Sequence, residues 1–270
     1  MPLNVACGKT LPETVVALQA VNGFQAIIVN TSPGHPGASR AFRRALANAL
    51  DAARLTDELT FGAGIVATAD LPSFMWAFDP ALKRLPFDPA AAGRAFAQLG
   101  YTPAKPLVTD LMYEQSQVVN RSVSVQLQAA LRPLGVDLHP VGQLSSTIYG
   151  GYGAGGTLAR GKYDFGLYTW TAGIDPDDSA QFACANRPPA GYNESFYCSA
   201  TMDTAQERAL GSYEIPQRKA AYATIERTLV DDAPMIFLWW QRYVQAINPD
   251  LHGFDPNPVT ETWDVANWSI

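Results

Sequence analysis

Apolar and polar positions along the chain follow two periods, one typical of strands and one typical of helices. The first segments have the strand period. Residues 15–20 and 24–30 are rich in β-branched and other apolar side chains, and the Val-Asn-Gly of residues 21–23 is a turn signal between them. The pattern predicts two strands joined as a hairpin or a paired crossover. After the Gly- and Pro-rich residues 32–37, apolar positions recur at helical spacing over residues 42–53, which predicts a first amphipathic helix.

A helix boundary is the clearest local signal in the next part of the chain. Residues 55–87 keep no sustained period and predict a long irregular segment. Asp88 then offers an N-cap, Pro89 suits the first helical position, and Gly100 is a typical C-terminal stop. We therefore expect a helix of about ten residues between them.

Strand and helix patterns alternate through the remainder of the chain. Tight connections separate a strand, a helix and a second strand at residues 106–113, 119–134 and 136–141, which is typical of a parallel crossover in an α/β sheet. The other predicted elements are strands at residues 163–169 and 234–241 and helices at residues 203–210 and 217–230.

Composition and charge narrow the class of protein. Hydrophobic residues make up 47% of the 270 residues and charged residues 16%, which is typical of a globular chain. The net charge of −6 argues against a nucleic-acid partner, because a phosphate backbone needs a basic face. Residues 1–20 show no signal peptide, and the longest apolar run, residues 235–240, is too short to span a bilayer. We expect either a cytoplasmic protein or a mature or truncated piece of an exported one.

A glycine-rich segment at residues 150–162 raises the question of nucleotide binding. Its Gly151-x-Gly153-x-x-Gly156 formally matches the dinucleotide fingerprint, which requires a preceding strand and a following helix. The segment downstream is strand-like, and Tyr163 stands where a phosphate-binding loop needs Ser or Thr. We favour a surface loop and keep a nucleotide-using enzyme as the alternative.

The candidate metal ligands and the cysteines do not match a known metal-binding pattern. The three histidines lie far apart in sequence, which argues against a zinc site. The acidic residues 175–178 could suggest calcium, but the proline at the second position does not fit a calcium loop, and a helix cap at Asp177 or Asp178 is the favoured role. Cys184 and Cys198 enclose thirteen residues, either as a disulfide or as two buried thiols.

Several segments, taken in order, resemble the C-terminal half of the family 5 extracellular solute-binding proteins, the dipeptide and oligopeptide receptors of ABC importers. Residues 162–170, which end at Trp170, are similar to the family's "GDYDMxxxGW", and residues 218–234 are similar to its "RxxLYxxIQxxLxxDAP". The resemblance extends over about residues 15–270. Its segments are residues 24–31 (FQAIIVNT), 39–51 (SRAFRRALANALD), 87–101, 125–136, 162–170, 218–234 and 251–254 with Trp263.

The resemblance implies a fold and a division of the chain. It implies an α/β fold like the C-terminal lobe of a type II periplasmic binding protein. This lobe is a mixed sheet flanked by helices, and the strands at its two chain ends belong to a largely missing first lobe. Residues 36–240 would form the compact ligand-binding lobe two, residues 1–35 remnant strands of lobe one and the hinge, and residues 241–270 the return to lobe one. We expect the two flanks to be the least well packed parts, to expose apolar edges such as Phe24, Ile27 and Val29, and to pair with each other or with another copy.

The resemblance also implies a function without covalent chemistry, cofactor or metal. The parent protein would be periplasmic or otherwise extracytoplasmic, peripheral to the membrane at most, and would present a peptide-like solute to ABC permease subunits. Gly173 occupies the position where peptide receptors of the family usually carry an Asp for the ligand's amino group. An oligosaccharide, an opine or a metal chelate therefore remains an alternative cargo. A single lobe encloses only half of a ligand, so we expect weak peptide binding by this chain.

The residues after the predicted strand at 163–169 are the candidate ligand-binding site, because open α/β sheets bind ligands at the carboxyl ends of strands. We expect Trp170 at the cleft and at least one of Trp239 and Trp240 in the core. The exported members of the family fold in an oxidising compartment, so we predict a Cys184–Cys198 disulfide and a free Cys7. The candidate ligand contacts are Tyr168, Trp170, Thr171, Ala172, Gly173 and Asp175.

Overall fold

A computed structural model describes residues 15–258 and 260–270, so Cys7 lies outside the described residues. Helices and strands alternate along these residues, as the sequence predicts. The elements are β1 Val15–Val29, α1 Arg40–Asn48, α2 Ala52–Thr60, β2 Ile65–Val66, α3 Pro89–Gln98, β3 Leu107–Glu114, α4 Val118–Leu131, β4 Val136–Gln143, α5 Ser145–Ile148, β5 Phe165–Thr171, α6 Ser179–Phe182, α7 Ala200–Leu210, α8 Ile215–Asp232 and β6 Met235–Ile247. Within the described ranges, no helix combines the length and the apolar character needed to cross a membrane.

The first strand corrects the predicted hairpin. Residues 15–29 form one continuous strand, and the expected turn at residues 21–23 is instead an irregularity in the pairing of β1 with β6. Gly23 pairs with Thr171 of β5, and a Cβ atom at Gly23 would lie 2.7 Å from the Trp170 carbonyl oxygen. The glycine therefore allows a close approach between strands, and the Asn-Gly signal does not reverse the chain because β1 has a partner strand on each side.

The described strands form one mixed sheet in the order β2-β6-β1-β5-β3-β4. The β3–α4–β4 unit is the predicted parallel crossover, and β5 is also parallel to β3. Both β5 and β6 are antiparallel to β1, so β6 shares the direction of β5. The carboxyl ends of β3, β4, β5 and β6 consequently lie along one edge of the sheet.

The predicted first helix is two helices, α1 and α2, because a second helix begins at a new N-cap. Asp51 accepts a hydrogen bond from the Arg54 backbone N–H at 3.0 Å and so begins α2. The expected irregular segment therefore starts only after Thr60 and contains the short β2. The cap predicted before α3 is confirmed, because the Asp88 side chain accepts from the Ala91 N–H at 2.8 Å.

Two hydrophobic layers pack on the two faces of the sheet, and β1 contributes to both of them. Ile27 and Val29 face α1, α3 and α4, whereas Phe24, Ala26 and Ile28 face α7 and α8. Phe24 and Ile27 are each 2% exposed and Val29 is fully buried, so the expected apolar edge at these residues is wrong. The central place of β1 in the sheet is the physical reason, because strands on both sides cover it.

The two flanks of the chain pair with each other, as expected. Residues 15–20 of β1 are antiparallel to residues 242–247 of β6, which continues beyond the core of the sheet. Leu18, Tyr243 and Val244 are about half exposed on these arms. The division into residues 1–35, 36–240 and 241–270 stays a prediction.

Candidate functional site

A cavity of about 610 Å³ lies at the edge of the sheet where β3 and β5 end. Open α/β sheets place ligands at this edge, because loops and helix starts meet there around a concave surface. We call it the binding cavity. Residues from every surrounding element line it, among them Gln25 of β1, Glu114 of β3, Asn120 of α4, Tyr149 after α5, Thr169 and Thr171 of β5, and Trp239, Gln241 and Arg242 of β6.

Two buried amides in the binding cavity have unpaired polar atoms. Thr169 Oγ1 donates to Gln25 Oε1 at 2.8 Å, and Gln25 Nε2 has no hydrogen-bond partner within the described residues. Asn120 Oδ1 is also unpartnered there, and the two side chains are only 3% and 2% exposed. Both residues line the binding cavity, and their unpaired atoms, one donor and one acceptor, are themselves buried, where polar groups are normally paired.

Ionisable groups add one charge of each sign to the lining. Glu114 ends β3, is 4% exposed, and accepts hydrogen bonds from the Ser116 N–H at 3.1 Å and from the Ser116 hydroxyl. Arg242 lies on β6 and is partly exposed. Tyr149 donates to the Leu167 carbonyl at 3.2 Å, and its burial, followed by the nearby carboxylate of Glu114, raises its pKa to about 12. The phenol therefore stays neutral at physiological pH.

The predicted ligand contacts divide between the two faces of β5. Thr171 points to the binding cavity, whereas Tyr168 and Trp170 lie on the opposite face because side chains alternate along a strand. Tyr168 is buried at 3% exposure and stacks on Trp170 with a centroid distance of 6.3 Å. Trp170 is partly exposed and also contacts the ring of Tyr192, so it is not enclosed in the core. Trp239 and Trp240 are both buried, which confirms that at least one of them lies in the core.

The loop after β5 is held by hydrogen bonds and one ion pair. Ala172 N–H donates to the Asn22 carbonyl at 2.7 Å, and the Asn22 side-chain amide donates to the Gly173 carbonyl. Asp175 is exposed, and its carboxylate accepts twice from Arg218 Nη2, at 2.7 and 2.9 Å. Gly173 therefore contributes backbone only, and the Asp175 carboxylate is engaged by a guanidinium.

Most residues that line the binding cavity escaped the sequence-based prediction, among them Gln25, Glu114, Asn120 and Thr169. Two of them left a signal in the sequence. Gln25 is a polar residue inside an apolar strand, and Glu114 follows directly after the predicted strand at residues 106–113. Asn120 gave no signal, because it stands within an ordinary polar and apolar helix pattern.

A wider groove between α7 and α8, of about 1200 Å³, is a weaker candidate. Small side chains such as Ala205, Ala221 and Thr224 form much of its lining. Within the described residues, no buried unpaired polar atom faces this groove. Its lining comes from α7, α8 and the connection between them, and not from the carboxyl ends of the strands.

The glycine-rich segment does not have the surroundings of a nucleotide site. It lies between α5 and β5, and its one helical feature is the 3-10 turn Tyr152–Ala154. A Cβ atom at Gly156 would lie 1.5 Å from the Gly150 carbonyl oxygen, so the loop is folded tightly on itself. Residues 151–155 are exposed, as the favoured interpretation as a surface loop predicts, whereas Gly156, Thr157, Leu158 and Ala159 are buried.

The predicted disulfide is confirmed. Cys184 and Cys198 are bonded, with 4.6 Å between their Cα atoms. The bond closes the loop that follows α6, and the Cys184 N–H donates to Asp203 Oδ1 at 2.9 Å, which ties this loop to α7.

Comparison with known proteins fits this geometry. Residues 3–191 match the model of the bacterial extracellular solute-binding proteins, family 5 middle region. The chain belongs to this family. A probable D,D-dipeptide-binding periplasmic protein of Escherichia coli is 23% identical over 225 residues, which are 81% of this chain and 41% of that protein. A dipeptide-binding protein of Pseudomonas aeruginosa is 24% identical over 233 residues, 83% of this chain and 42% of its own length.

Solved structures show the same α/β periplasmic-binding-protein-like fold. The oligopeptide-binding protein AppA of Bacillus subtilis, in complex with a nonapeptide, superposes with a TM-score of 0.84 at 18% identity, over 97% of this chain and 53% of that one. NikZ of Campylobacter jejuni, in complex with Ni(L-His), gives 0.83 at 21% identity, over 97% and 54%. The chain thus spans about half the length of the relatives it matches.

Proposed function

We propose that this chain supplies solute-binding surface to a receptor of an ABC importer and that the binding cavity takes a peptide-like solute. The observation that carries the proposal is the pair of unpaired buried groups, Gln25 Nε2 and Asn120 Oδ1. A peptide unit offers one carbonyl and one N–H, so it can accept from the first and donate to the second. A main-chain ligand thereby satisfies both amides without regard to its side chains.

The ionisable residues favour a zwitterionic peptide. Glu114 is a buried carboxylate that can attract a ligand's ammonium group, and Arg242 is a guanidinium that can attract a carboxylate. Gly173 offers no carboxylate after Trp170, so Glu114 takes the role expected of an Asp there. Dipeptides to pentapeptides with free termini are the proposed class of solute.

The candidate contacts in and after β5 have two different roles in the proposal. Thr171 contacts solute directly, since it lines the binding cavity. Trp170 presents its partly exposed ring on the other face and is supported by Tyr168. Ala172, Gly173 and Asp175 shape the loop through Asn22 and Arg218.

The parent protein is proposed to work outside the cytoplasm with ABC permease subunits. Relatives are described as periplasmic, and the one disulfide suits an oxidising compartment. They are also about twice as long, so a second half would close over the solute from the far side. This chain alone encloses the solute incompletely, and a Kd of about 1 mM or weaker is expected, which corresponds to about −4 kcal/mol.

Competitive retention of solutes tests the proposal. The 270-residue chain is dialysed against a pool of dipeptides to pentapeptides, the nickel–histidine complex and a short oligosaccharide, and the retained solutes are quantified by mass spectrometry. Peptides should be enriched by the wild type and lost by the Asn120→Leu variant. The matched control is Gln143→Leu, which removes another unpaired amide oxygen outside the binding cavity and should retain peptides. Enrichment of the nickel complex or the oligosaccharide over peptides would contradict the proposal.

A further inference from the structure

A second and much smaller cavity lies on the opposite face of β5 from the binding cavity. Its volume is about 10 Å³, which is enough for one ion or one water molecule. Trp170 and Ala172 form one wall. Other lining residues carry three carboxylates and one amide, those of Asp70, Asp177, Asp178 and Gln181. We call this space the acidic cavity.

Two of the carboxylates are buried without an opposite charge. Asp70 is 6% exposed and Asp178 is 4% exposed. Asp70 Oδ1 and Asp178 Oδ2 have no hydrogen-bond partner in the described part of the chain, and no Lys, Arg or His forms an ion pair with either residue there. The nearby Arg218 is bound to Asp175 instead. Burying such charges without compensation is costly, so these oxygens call for a positive partner.

A neutral side chain points to the same kind of partner independently of the acids. Gln181 is 2% exposed, lines the acidic cavity, and has an unpaired buried Oε1. Gln206 Nε2 donates to Asp178 Oδ1 at 3.3 Å, which fixes that carboxylate and leaves its second oxygen free. Carboxylate and amide oxygens together are the ligand set that hard divalent cations prefer.

The protonation of the carboxyl groups is the competing way to remove the charge. Burial raises the pKa of Asp70 to about 7, and burial together with the repulsion from Asp70 raises the pKa of Asp178. A cation and a proton therefore compete for the same oxygens, and the two can be told apart by experiment.

We propose that the acidic cavity binds a single hard divalent cation, with Ca²⁺ as the favoured ion. Mg²⁺ is disfavoured because it loses its bound waters reluctantly and this cavity has no room for a hydrated ion. Asp70, Asp177 and Asp178 do not bring three carboxylate oxygens within 4.8 Å of one another. Cation binding therefore draws the exposed Asp177 towards Asp70 and Asp178 and fixes the loop behind Trp170. The proposal does not depend on the identity of the transported solute.

Thermal unfolding with and without Ca²⁺ tests the proposal. The 270-residue chain is stripped with EDTA, and its Tm is measured alone, with about 1 mM CaCl₂ and with the same amount of MgCl₂. Ca²⁺ should raise the Tm by about 3 °C or more, and Mg²⁺ by clearly less. Trp170, which lines the acidic cavity, should also sensitise the luminescence of bound Tb³⁺, and Ca²⁺ should displace the Tb³⁺.

The variants Asp70→Asn and Asp178→Asn supply the decisive comparison, since each removes one charge with little change of shape. The Ca²⁺-dependent shift should disappear in both, even if their own Tm values differ from the wild type. Asp57→Asn, an exposed carboxylate on α2, is the matched control and should keep the full shift. The proposal is overturned if Ca²⁺ leaves the wild-type Tm unchanged, or if the shift survives in both variants. A Tm that rises on acidification and ignores Ca²⁺ also overturns it, because the carboxyls then hold protons.

Discussion

The Thr169 hydroxyl donates to Gln25 Oε1 across the paired strands β1 and β5, at 2.8 Å, and Gln25 Nε2 has no hydrogen-bond partner among the described residues. The bond fixes the orientation of an amide that is itself 3% exposed. An unpaired buried donor normally weakens a fold. Gln25 lines the binding cavity, which is where we propose that solute binds.

Replacing this amide should separate stability from binding. Gln25→Leu removes an unpaired buried donor, so the free energy of unfolding should stay unchanged or rise by about 1 kcal/mol. Thr169 is exposed and can bond to water instead. Peptide retention should fall at the same time. Urea denaturation and the dialysis assay measure the two effects, and a strongly destabilised variant would show that the amide serves the fold.

Arg43 should be a major source of stability in the helical layer. It is 6% exposed and donates to three carbonyls, those of Asp232 at 2.6 Å, Gly37 at 2.8 Å and Ala38 at 3.3 Å. Burial lowers its pKa, but the guanidinium stays charged. Arg43→Met removes the donor from all three carbonyls and should cost about 2–4 kcal/mol in urea unfolding.

The neighbouring Arg44 is the matched control for this experiment. It makes an exposed ion pair with Asp231 at 3.2 Å and contacts the same end of α8. Arg44→Met should change the free energy of unfolding by about 1 kcal/mol or less. Equal losses in the two variants would contradict the assignment of the stability to the buried guanidinium.

The disulfide should contribute about 3 kcal/mol, because it closes a loop of this length in the unfolded chain. The Cys184→Ala/Cys198→Ala double variant should lose that amount in urea unfolding, and Cys7→Ala serves as the control. Thiol titration of the denatured, unreduced wild type should find one free thiol per chain. Three free thiols would contradict the bonded pair.

Glu194 should make stability depend on pH. It is 7% exposed, and burial raises its pKa from 4.5 to about 7. Between these values the folded state keeps a proton that the unfolded state has released, so stability falls as the pH rises through this window. Glu194→Gln should match the wild type near pH 4 and exceed it by about 1–3 kcal/mol at pH 8.

A pH series of denaturation midpoints checks this difference. Glu207→Gln, at an exposed position of α7, is the control and should follow the wild-type profile. A Glu194→Gln variant that parallels the wild type at every pH would show that the carboxyl is not held neutral by burial.

The fold could be predicted from local patterns wherever one signal dominated. Asp88, Pro89 and Gly100 fixed the ends of α3, and the alternation of strand and helix predicted the parallel β3–α4–β4 unit. The turn signal at residues 21–23 misled, because nothing local shows that β1 has a strand on both sides. The break at Asp51 was hidden by an apolar period that continues from α1 into α2.

The site was predicted less completely than the fold, for a physical reason. The strand β5 and its carboxyl end were located, which placed Thr171 at the binding cavity. Gln25, Glu114 and Asn120 reach the same cavity from β1, β3 and α4, and only the tertiary pairing brings these distant segments together. The sequence analysis pointed to the carboxyl end of β5 as the site, whereas the unpaired amides could be identified only in the three-dimensional structure.

Side-chain amide signals in a ¹H–¹⁵N spectrum test the central claim most directly. The labelled 270-residue chain is titrated with trialanine up to about 10 mM, a concentration that populates a complex with a Kd near 1 mM. The account predicts shifts at the side-chain amides of Gln25 and Asn120 and at the backbone of Thr169 and Thr171, and fewer shifts at Asn120 in the Gln25→Leu variant. Shifts confined to the groove between α7 and α8, or no shifts at all, would contradict it.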